Sequence, residues 1–351
     1  KKIKTFSIGY DQEYKSYKSE LNYAKIVAEH IKSLHFEKKL RKDDIKNIIF
    51  DMVYFQDEPI SDPVCVPIFY VSKLAKENNI KVCQVGEGAD ELFFGYTNWF
   101  RTSKINMLIN NVFFPDFLKK LILFLYKKLN FQYKYTSDLL RRSVEKKPIF
   151  WGGAEAFSSF EKSQLFSDDF KKKIKNFDSW NCIRPHYEFF NKKAKNKCIE
   201  NWMTYLDLKI RLPELILMRV DKMTMANSLE ARVPFLDHNL IQKTIDLPIN
   251  IKIKKNKSKV LLKEIVKGLL PNEILNRKKQ GFGLPLKEWF EEGLGIDEKK
   301  IICEFVTETD FFDKNYIRNV INRKGDTRLW FILNLAIWWK IFITDNRLKF
   351  F

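Results

Sequence analysis

Along the first hundred residues, apolar and polar positions follow two different periods. From Thr5 to Gly9 (TFSIG) a short β-prone run ends in a glycine, and from Asn22 to Leu34 apolar side chains fall at Tyr23, Ile26, Val27, Ile31 and Leu34. The first predicts a strand and the second the stripe of an amphipathic helix. Ile45, Ile48, Ile49, Met52 and Val53 predict a second helix after an Asp43-Asp44 cap, and Ile68, Val71, Leu74 and Ala75 a third over Pro67 to Asn78. Pro67 suits a first helical turn, and Asn78-Asn79 suits a helix stop. Ile80 to Val85 then reads as a strand closed by Gly86. Strands that end in glycine and alternate with helices predict an α/β fold, a parallel sheet with helices on both faces.

After Tyr96 the pattern changes to long helical segments, separated by lysine-rich or polar links near Phe131 to Thr136, Lys171 to Lys175 and Asn191 to Lys197. Within this half, Val112 to Tyr126 is apolar but broken by Asp116, Lys119 and Lys120, the pattern of a packing helix or an exposed partner surface rather than of a membrane element. The most apolar stretch, Leu329 to Ile343, has 15 residues and includes Asn334 and Lys340. It falls short of the roughly 20 residues of a membrane span and reads as a buried helix. The basic run Lys252 to Lys259 reads as a solvated link.

Composition narrows the partners. The chain of 351 residues is 45% hydrophobic and 15% aromatic, which excludes wholesale disorder. Its net charge of +19 points toward anionic partners such as nucleotides, nucleic acid or an acidic membrane surface. Of the 63 basic residues only 13 are arginine, and this argues against nucleic acid, whose phosphates and bases favour the forked guanidinium. The five cysteines (Cys65, Cys83, Cys182, Cys198, Cys303) form no CxxC pair, and His30, His35, His186 and His238 complete no zinc pattern with them. A reducing, cytoplasmic compartment is the expectation, and Cys83, inside a predicted strand, reads as a small buried hydrophobe.

The sharpest chemical signal is Val85-Gly86-Glu87-Gly88-Ala89-Asp90-Glu91-Leu92-Phe93-Phe94-Gly95-Tyr96. Following a parallel strand, it stands at the carboxyl edge of the sheet, where open α/β folds bind ligands. Gly86 and Gly88 let backbone approach a ligand, while Glu87, Asp90 and Glu91 crowd three carboxylates into one turn. Such a cluster calls for a cation, and beside a polyphosphate the fitting one is Mg²⁺. Taken as two glycines and some acids, the string is also compatible with a surface turn.

The whole string resembles the signature of the synthetase domain of glutamine-dependent asparagine synthetases, and further segments agree in order over roughly 280 residues. Phe6-Ser7-Ile8-Gly9-Tyr10 is similar to that family's adenine-contacting strand end, and Asp57-Glu58-Pro59 with Asp62-Pro63 and Pro67 to its DEP…DP…P segment. Leu212-Pro213-Glu214, Val220-Asp221-Lys222-Met223 and Glu230-Ala231-Arg232-Val233-Pro234-Phe235-Leu236-Asp237 resemble its LP, D[RK]M and ExRxPFLD elements, and Arg277 to Phe282 its R-x-K-x-G-F loop. The resemblance implies an adenine nucleotide alpha hydrolase-like fold of the ATP pyrophosphatase type. Residues 1–96 would be part of the nucleotide-binding domain, 97–205 a helical insertion, 206–290 a return to the active site and 291–351 a helical C-terminal region.

The chemistry implied is attack of a carboxylate on the α-phosphate of ATP, then displacement of AMP by ammonia to leave an amide. The resemblance puts Glu87 and Lys279 in catalytic roles, Ile8, Gly86 and Glu87 at the nucleotide, and Asp90 at Mg²⁺. It implies a small-molecule carboxylate substrate, aspartate or a relative, and ammonia from an upstream or separate glutaminase domain; a homodimer is a further expectation. Glu230 with Arg232 could orient a substrate, but a buried ion pair holding a turn is at least as good a reading, and Asp221 with Lys222 has the same ambiguity.

Two parts of the family pattern have no counterpart in the 351 residues: a pyrophosphate loop of SGGxDS type before the Phe6 strand, and a glutaminase domain opened by a cysteine. With Lys1 at the start in place of Met, truncation is the simpler expectation and a degenerate scaffold homologue the alternative. Val85 stands where the family usually has a hydroxyl residue, and Phe94 where it often has glycine, which is expected to reshape the acceptor pocket. A tRNA-modifying relative, suggested by the charge, is the second functional reading; it requires salt-sensitive RNA binding.

Overall fold

Lys4–Tyr10 (β1) and Leu34–Leu40 (β2) pair in parallel with Lys4 opposite Leu34 and Tyr10 opposite Leu40, and the helix between them, Leu21–His30 (α1), is the crossover. The computed structural model describes residues 2–110, 114–129, 135–175, 177–254, 257–277, 279–294 and 296–344. Parts of four stretches singled out in the sequence, residues 112–113, 131–134, 255–256 and 278, lie outside the described residues.

β2 corrects the sequence reading, which ran one helix through Leu34. The helix stops at His30 because Lys32 takes a left-handed turn (φ 54°), and Ser33 then donates its amide back to the Ala28 carbonyl at 2.9 Å. Lys42–Gln56 (α2) buries all five of the apolar residues that predicted it. Asp44 caps it from inside, its Oδ2 accepting the Arg41 amide at 2.7 Å, so the cap is Arg41 with Asp44 three residues on. Cys65–Glu77 (α3) carries Pro67 in its first turn, and the chain turns at Asn79 (φ 59°) into Val82–Gln84 (β3).

β3 pairs in parallel with Glu230–Arg232 (β4), far along the chain. Parallel pairing agrees with the expected α/β class, yet among the described residues the strands form two separate pairs rather than one sheet. The near edges of β1 and β3 do not meet. Ile3–Ile8 on one side and Val82–Glu87 on the other line a common cavity of about 1000 Å³.

Between Tyr96 and β4 the described segments are helical, ending in a π-helical stretch, Asp207–Leu217, with Pro213 inside it, and the helix Met218–Met225. Among the described residues, three apolar clusters hold the chain together. The largest joins α2 and α3 to Trp289, Phe305 and the helix Arg328–Phe342, whose Trp330, Leu333, Ala336 and Ile337 are fully buried. Asn334 is tolerated there because its Nδ2 donates to the Trp330 carbonyl at 2.9 Å, and Lys340 because it pairs with Glu304. A second cluster packs Phe94, Trp99, Phe150, Trp151, Trp202 and Leu206; a third is small, around Ile109, Leu139, Leu140 and Ile149. Among the described residues no helix is long and apolar enough to cross a membrane.

Candidate functional site

Beyond β3, the Val85 amide still bonds the Arg232 carbonyl (2.9 Å), so the loop leaves the sheet edge at Gly86. A side chain at Gly86 would meet nothing within 4 Å, leaving its backbone open to a ligand. Gly88 turns at φ 92°, and a Cβ there would strike the Leu236 side chain. The helical turn Ala89–Leu92 follows, with Asp90 and Glu91 in it. At Gly95 a Cβ would fall on Asp90 Oδ1 and on Lys259 Cε, so glycine here keeps the space around the Asp90 carboxylate clear. Phe94 takes a left-handed φ of 56°, a strained conformation for an aromatic residue, and packs edge-on against Trp99 and Phe100 in the second core.

Asp90 is the meeting point of two distant segments. Lys279 Nζ donates to its Oδ2 at 3.2 Å, and Lys259 Nζ stands 2.8 Å from its Oδ1. Burial alone would push this carboxyl up, but Lys259 and Lys279 outweigh it and hold Asp90 below the ordinary carboxylate range. The loop carrying Lys279 is tied to the N-terminal segment. Arg277 pairs with Glu20 and stacks over the Tyr23 ring, and the Tyr10 hydroxyl donates to the Gly283 carbonyl.

Glu87 faces a different environment. Arg219 Nη2 is 3.9 Å from its Oε1, while Nη1 of the same guanidinium pairs with Asp62. Burial pushes Glu87 above the ordinary carboxylate range; Arg219 opposes this, and the charges of Glu91, Asp90 and Asp62 add to it. A carboxylate whose proton affinity is raised in this way is better suited to take up a proton than an ordinary surface glutamate.

Behind the loop a polar chain runs into the helical half. The Tyr96 hydroxyl donates to buried Glu91 at 2.6 Å, Arg211 lies over the Tyr96 ring at 4.4 Å, and Arg211 pairs with Asp207 at 3.2 Å. Asp207 also accepts the Gly153 amide at 3.0 Å. Burial pushes its carboxyl up to about 6, against the pull of Arg211 and the Gly153 amide. This chain ends in the π-helical stretch, a distortion that often marks functional sites.

Of the residues singled out in the sequence, Ile8, Gly86 and Glu87 line the 1000 Å³ cavity together. Lys279 and Asp90 meet each other outside that lining. Cys83 faces the cavity and is only partly buried, unlike the fully buried hydrophobe expected. Glu230 and Arg232 make a 2.7 Å pair on the exposed face of β4, and Lys222 bonds Asp57 rather than its neighbour Asp221, so neither is a buried pair. Phe94 is committed to the second core, which corrects its expected place in an acceptor pocket.

Sequence reasoning missed Lys259, assigned to a solvated run. Charge pattern offers no signal for it; the one available cue is that it immediately precedes a helix, Val260–Ile265, placing it at a turn. Arg219 was missed as well. Among the described residues no three His, Cys, Asp or Glu side chains gather as a metal site. Both Asp90 oxygens face lysine ammonium groups. A Mg²⁺ ion at Asp90 therefore does not fit this arrangement unless an ammonium group withdraws.

Two lysines thus converge on an aspartate just beyond the end of a parallel strand in a chain of α/β class. The family model for asparagine synthase matches residues 1–340, and the chain belongs to that family. It is 30% identical over 345 residues to asparagine synthetase [glutamine-hydrolyzing] 1 of Bacillus subtilis, a match covering 97% of this chain and 52% of the relative. It is 28% identical over 351 residues to a putative asparagine synthetase [glutamine-hydrolyzing] of Mycobacterium tuberculosis (97% and 51%), and 24% identical over 314 residues to amidase chyE of Penicillium rubens (81% and 44%). The chain spans about half the length of the curated relatives it matches first.

Proposed function

We propose that this chain is the synthetase portion of a glutamine-dependent amidotransferase that adenylates a carboxylate with ATP and then amidates it, releasing AMP and pyrophosphate. The observation that carries the reading is the convergence of Lys259 and Lys279 on Asp90 beside Glu87. ATP and the acceptor are the substrates. The acceptor carboxylate oxygen bonds to the α-phosphorus as the bond to pyrophosphate breaks. Lys279 offsets the negative charge that develops there, and Lys259 holds the departing pyrophosphate. Ile8 and the Gly86 backbone flank the adenine nucleotide at the cavity. Ammonia, supplied by hydrolysis of glutamine outside these residues, then bonds to the acyl carbon; AMP leaves, and Glu87 takes the proton released.

When bound, Mg²⁺ would neutralise charge on the phosphates, and Asp90 would hold it only where Lys259 or Lys279 has withdrawn from the carboxylate to the nucleotide. Residues 1–96 and 206–290 supply the nucleotide-binding α/β part of ATP pyrophosphatase type, and the segments 97–205 and 291–351 its helical additions. The acceptor is left at the level of a carboxylate, aspartate being the first to test, because an amidase stands among the relatives.

The test is AMP formation by the full-length protein with ATP, ammonia and a panel of carboxylates. Glu87→Ala and Lys279→Ala should each lower AMP formation by about 10²- to 10³-fold with thermal unfolding unchanged in cooperativity. Near-normal turnover in either variant removes that residue from the mechanism.

A further inference from the structure

The helix Asp116–Lys128 is apolar on two faces. One packs into the third core through Ile122, Leu123 and Tyr126. The other points to solvent, with Phe117 71%, Leu121 50% and Phe124 63% exposed, and the helix Thr97–Ile109, which packs on the same core, exposes Met107 and Leu108 by 66% and 63%. Side chains of this size left in water on neighbouring elements of one small core mark a docking face.

The charge around the face identifies its occupant. From Arg101 to Leu129 the chain carries six basic residues (Arg101, Lys104, Lys119, Lys120, Lys127, Lys128) and a single acid, Asp116. That acid is already engaged by Lys119 at 3.1 Å and by Lys146. Lys104, Lys120, Lys127 and Lys128 are all exposed. A second copy of the chain meeting this face about a two-fold axis would bring lysine against lysine, so self-association there is opposed. A convex ridge of Phe and Leu flanked by lysines is instead the design of a helix that lies in the headgroup region of an anionic bilayer.

We propose that this face, centred on Phe117, Leu121 and Phe124, binds the protein reversibly to an anionic membrane surface, placing amide synthesis beside the bilayer. It spans nothing; the ridge enters only the headgroup boundary, and the exposure of Phe117, Leu121 and Phe124 is what departs from the sequence reading of this segment as no membrane element.

Flotation of the full-length protein with phosphatidylcholine vesicles, with and without 30% phosphatidylglycerol, is the test. Phosphatidylglycerol should raise the bound fraction about tenfold at low salt, and raising the salt severalfold should reverse most of the gain. Because a net charge of +19 could itself attract anionic vesicles, the deciding variant keeps every charge: F117S/L121S/F124S should release the protein with an unchanged melting temperature, since these side chains are exposed. Substituting Lys120, Lys127 and Lys128 by Gln should weaken binding and flatten its salt dependence. The proposal is overturned if the serine variant floats like the wild type, or if phosphatidylglycerol makes no difference. It is equally overturned if vesicles fail to retain the protein while light scattering shows a dimer, or an acidic protein partner, that the serine variant abolishes.

Discussion

Two clusters of charge sit inside this molecule, and they are built on opposite principles. In the helical half, Arg142 is almost completely buried, yet its guanidinium is answered at all but Nε: Nη2 meets Asp138 at 2.6 Å and also pairs with Glu155, Nη1 donates to the Ile149 carbonyl at 2.9 Å, and Trp151 lies 3.9 Å beneath the guanidinium. Burial disfavours the Arg142 charge, but Glu155 and Asp138 hold it above its ordinary value. At the ligand loop the charges do not balance in the same way. Glu87, which lines the cavity, is pushed up, while Asp90, outside that lining, is pulled down by the two lysines that crowd its carboxylate. A network whose charges are paired stabilises a fold, whereas one that sets two ammonium groups against a single carboxylate keeps a positive charge in excess for an anionic ligand.

The contrast is broken most severely by removing Arg142. Arg142→Ala leaves Oδ2 of the fully buried Asp138 without its partner while Arg141 still holds Oδ1, and should lower unfolding free energy by about 2–3 kcal/mol. Lys279→Ala, whose partner Asp90 keeps Lys259, should shift it by less than about 1 kcal/mol. Urea melts of both variants at neutral pH make the comparison. Equal losses would mean that the ligand-loop cluster is as structural as the other.

How far the two regions were legible in the sequence follows the same division. The five apolar positions of α2 and the buried helix around Trp330 were readable because helical periodicity and burial coincide there. β2 was not, since LHFEKKL has only weak alternation and its lysines stay in water while the backbone pairs with β1. Glu87, Asp90 and Lys279 were singled out through local motifs. The pairing of Asp90 with Lys279 spans 189 positions and Lys259 belongs to no motif that was noticed, so their convergence depended on the fold. The Arg142 network escaped altogether: Asp138, Arg141, Arg142 and Glu155 lie within 18 residues, but in a lysine-rich chain nothing local separates a buried arginine from a solvated one.

Asp207 lies on the seam between the two regions and sharpens the comparison through pH. Its carboxyl is fully buried and pushed up to about 6, against about 3.9 in the unfolded chain. The native state therefore binds this proton more tightly, and stability is lost as pH rises from about 4 to about 6, by roughly 2–3 kcal/mol. Asp207→Asn should remove that slope while its side-chain carbonyl still accepts the Gly153 amide. The wild-type-minus-variant difference in unfolding free energy, measured at half-unit pH intervals, should change across this window. A flat difference would show that Arg211 neutralises Asp207 as fully as Arg142 does Asp138.

Asp90 should give the opposite sign and the smallest effect. Its folded pKa is lowered, so the stability it contributes is present above about pH 4 and lost as pH falls through the lowered value. With both lysine partners reaching water, that contribution is about 1 kcal/mol or less, and Asp90→Asn should reduce stability by no more than this at pH 7. The substitution should nonetheless alter ligand binding. Taking one negative charge from between Lys259 and Lys279 leaves two unanswered ammonium groups, and inorganic pyrophosphate without Mg²⁺ should bind the variant about three- to tenfold more tightly by calorimetry. Weaker pyrophosphate binding in Asp90→Asn would mean that the aspartate organises the two lysines for the phosphate instead of competing with it, and the ligand-loop cluster would then be a preformed network of the same kind as the one around Arg142.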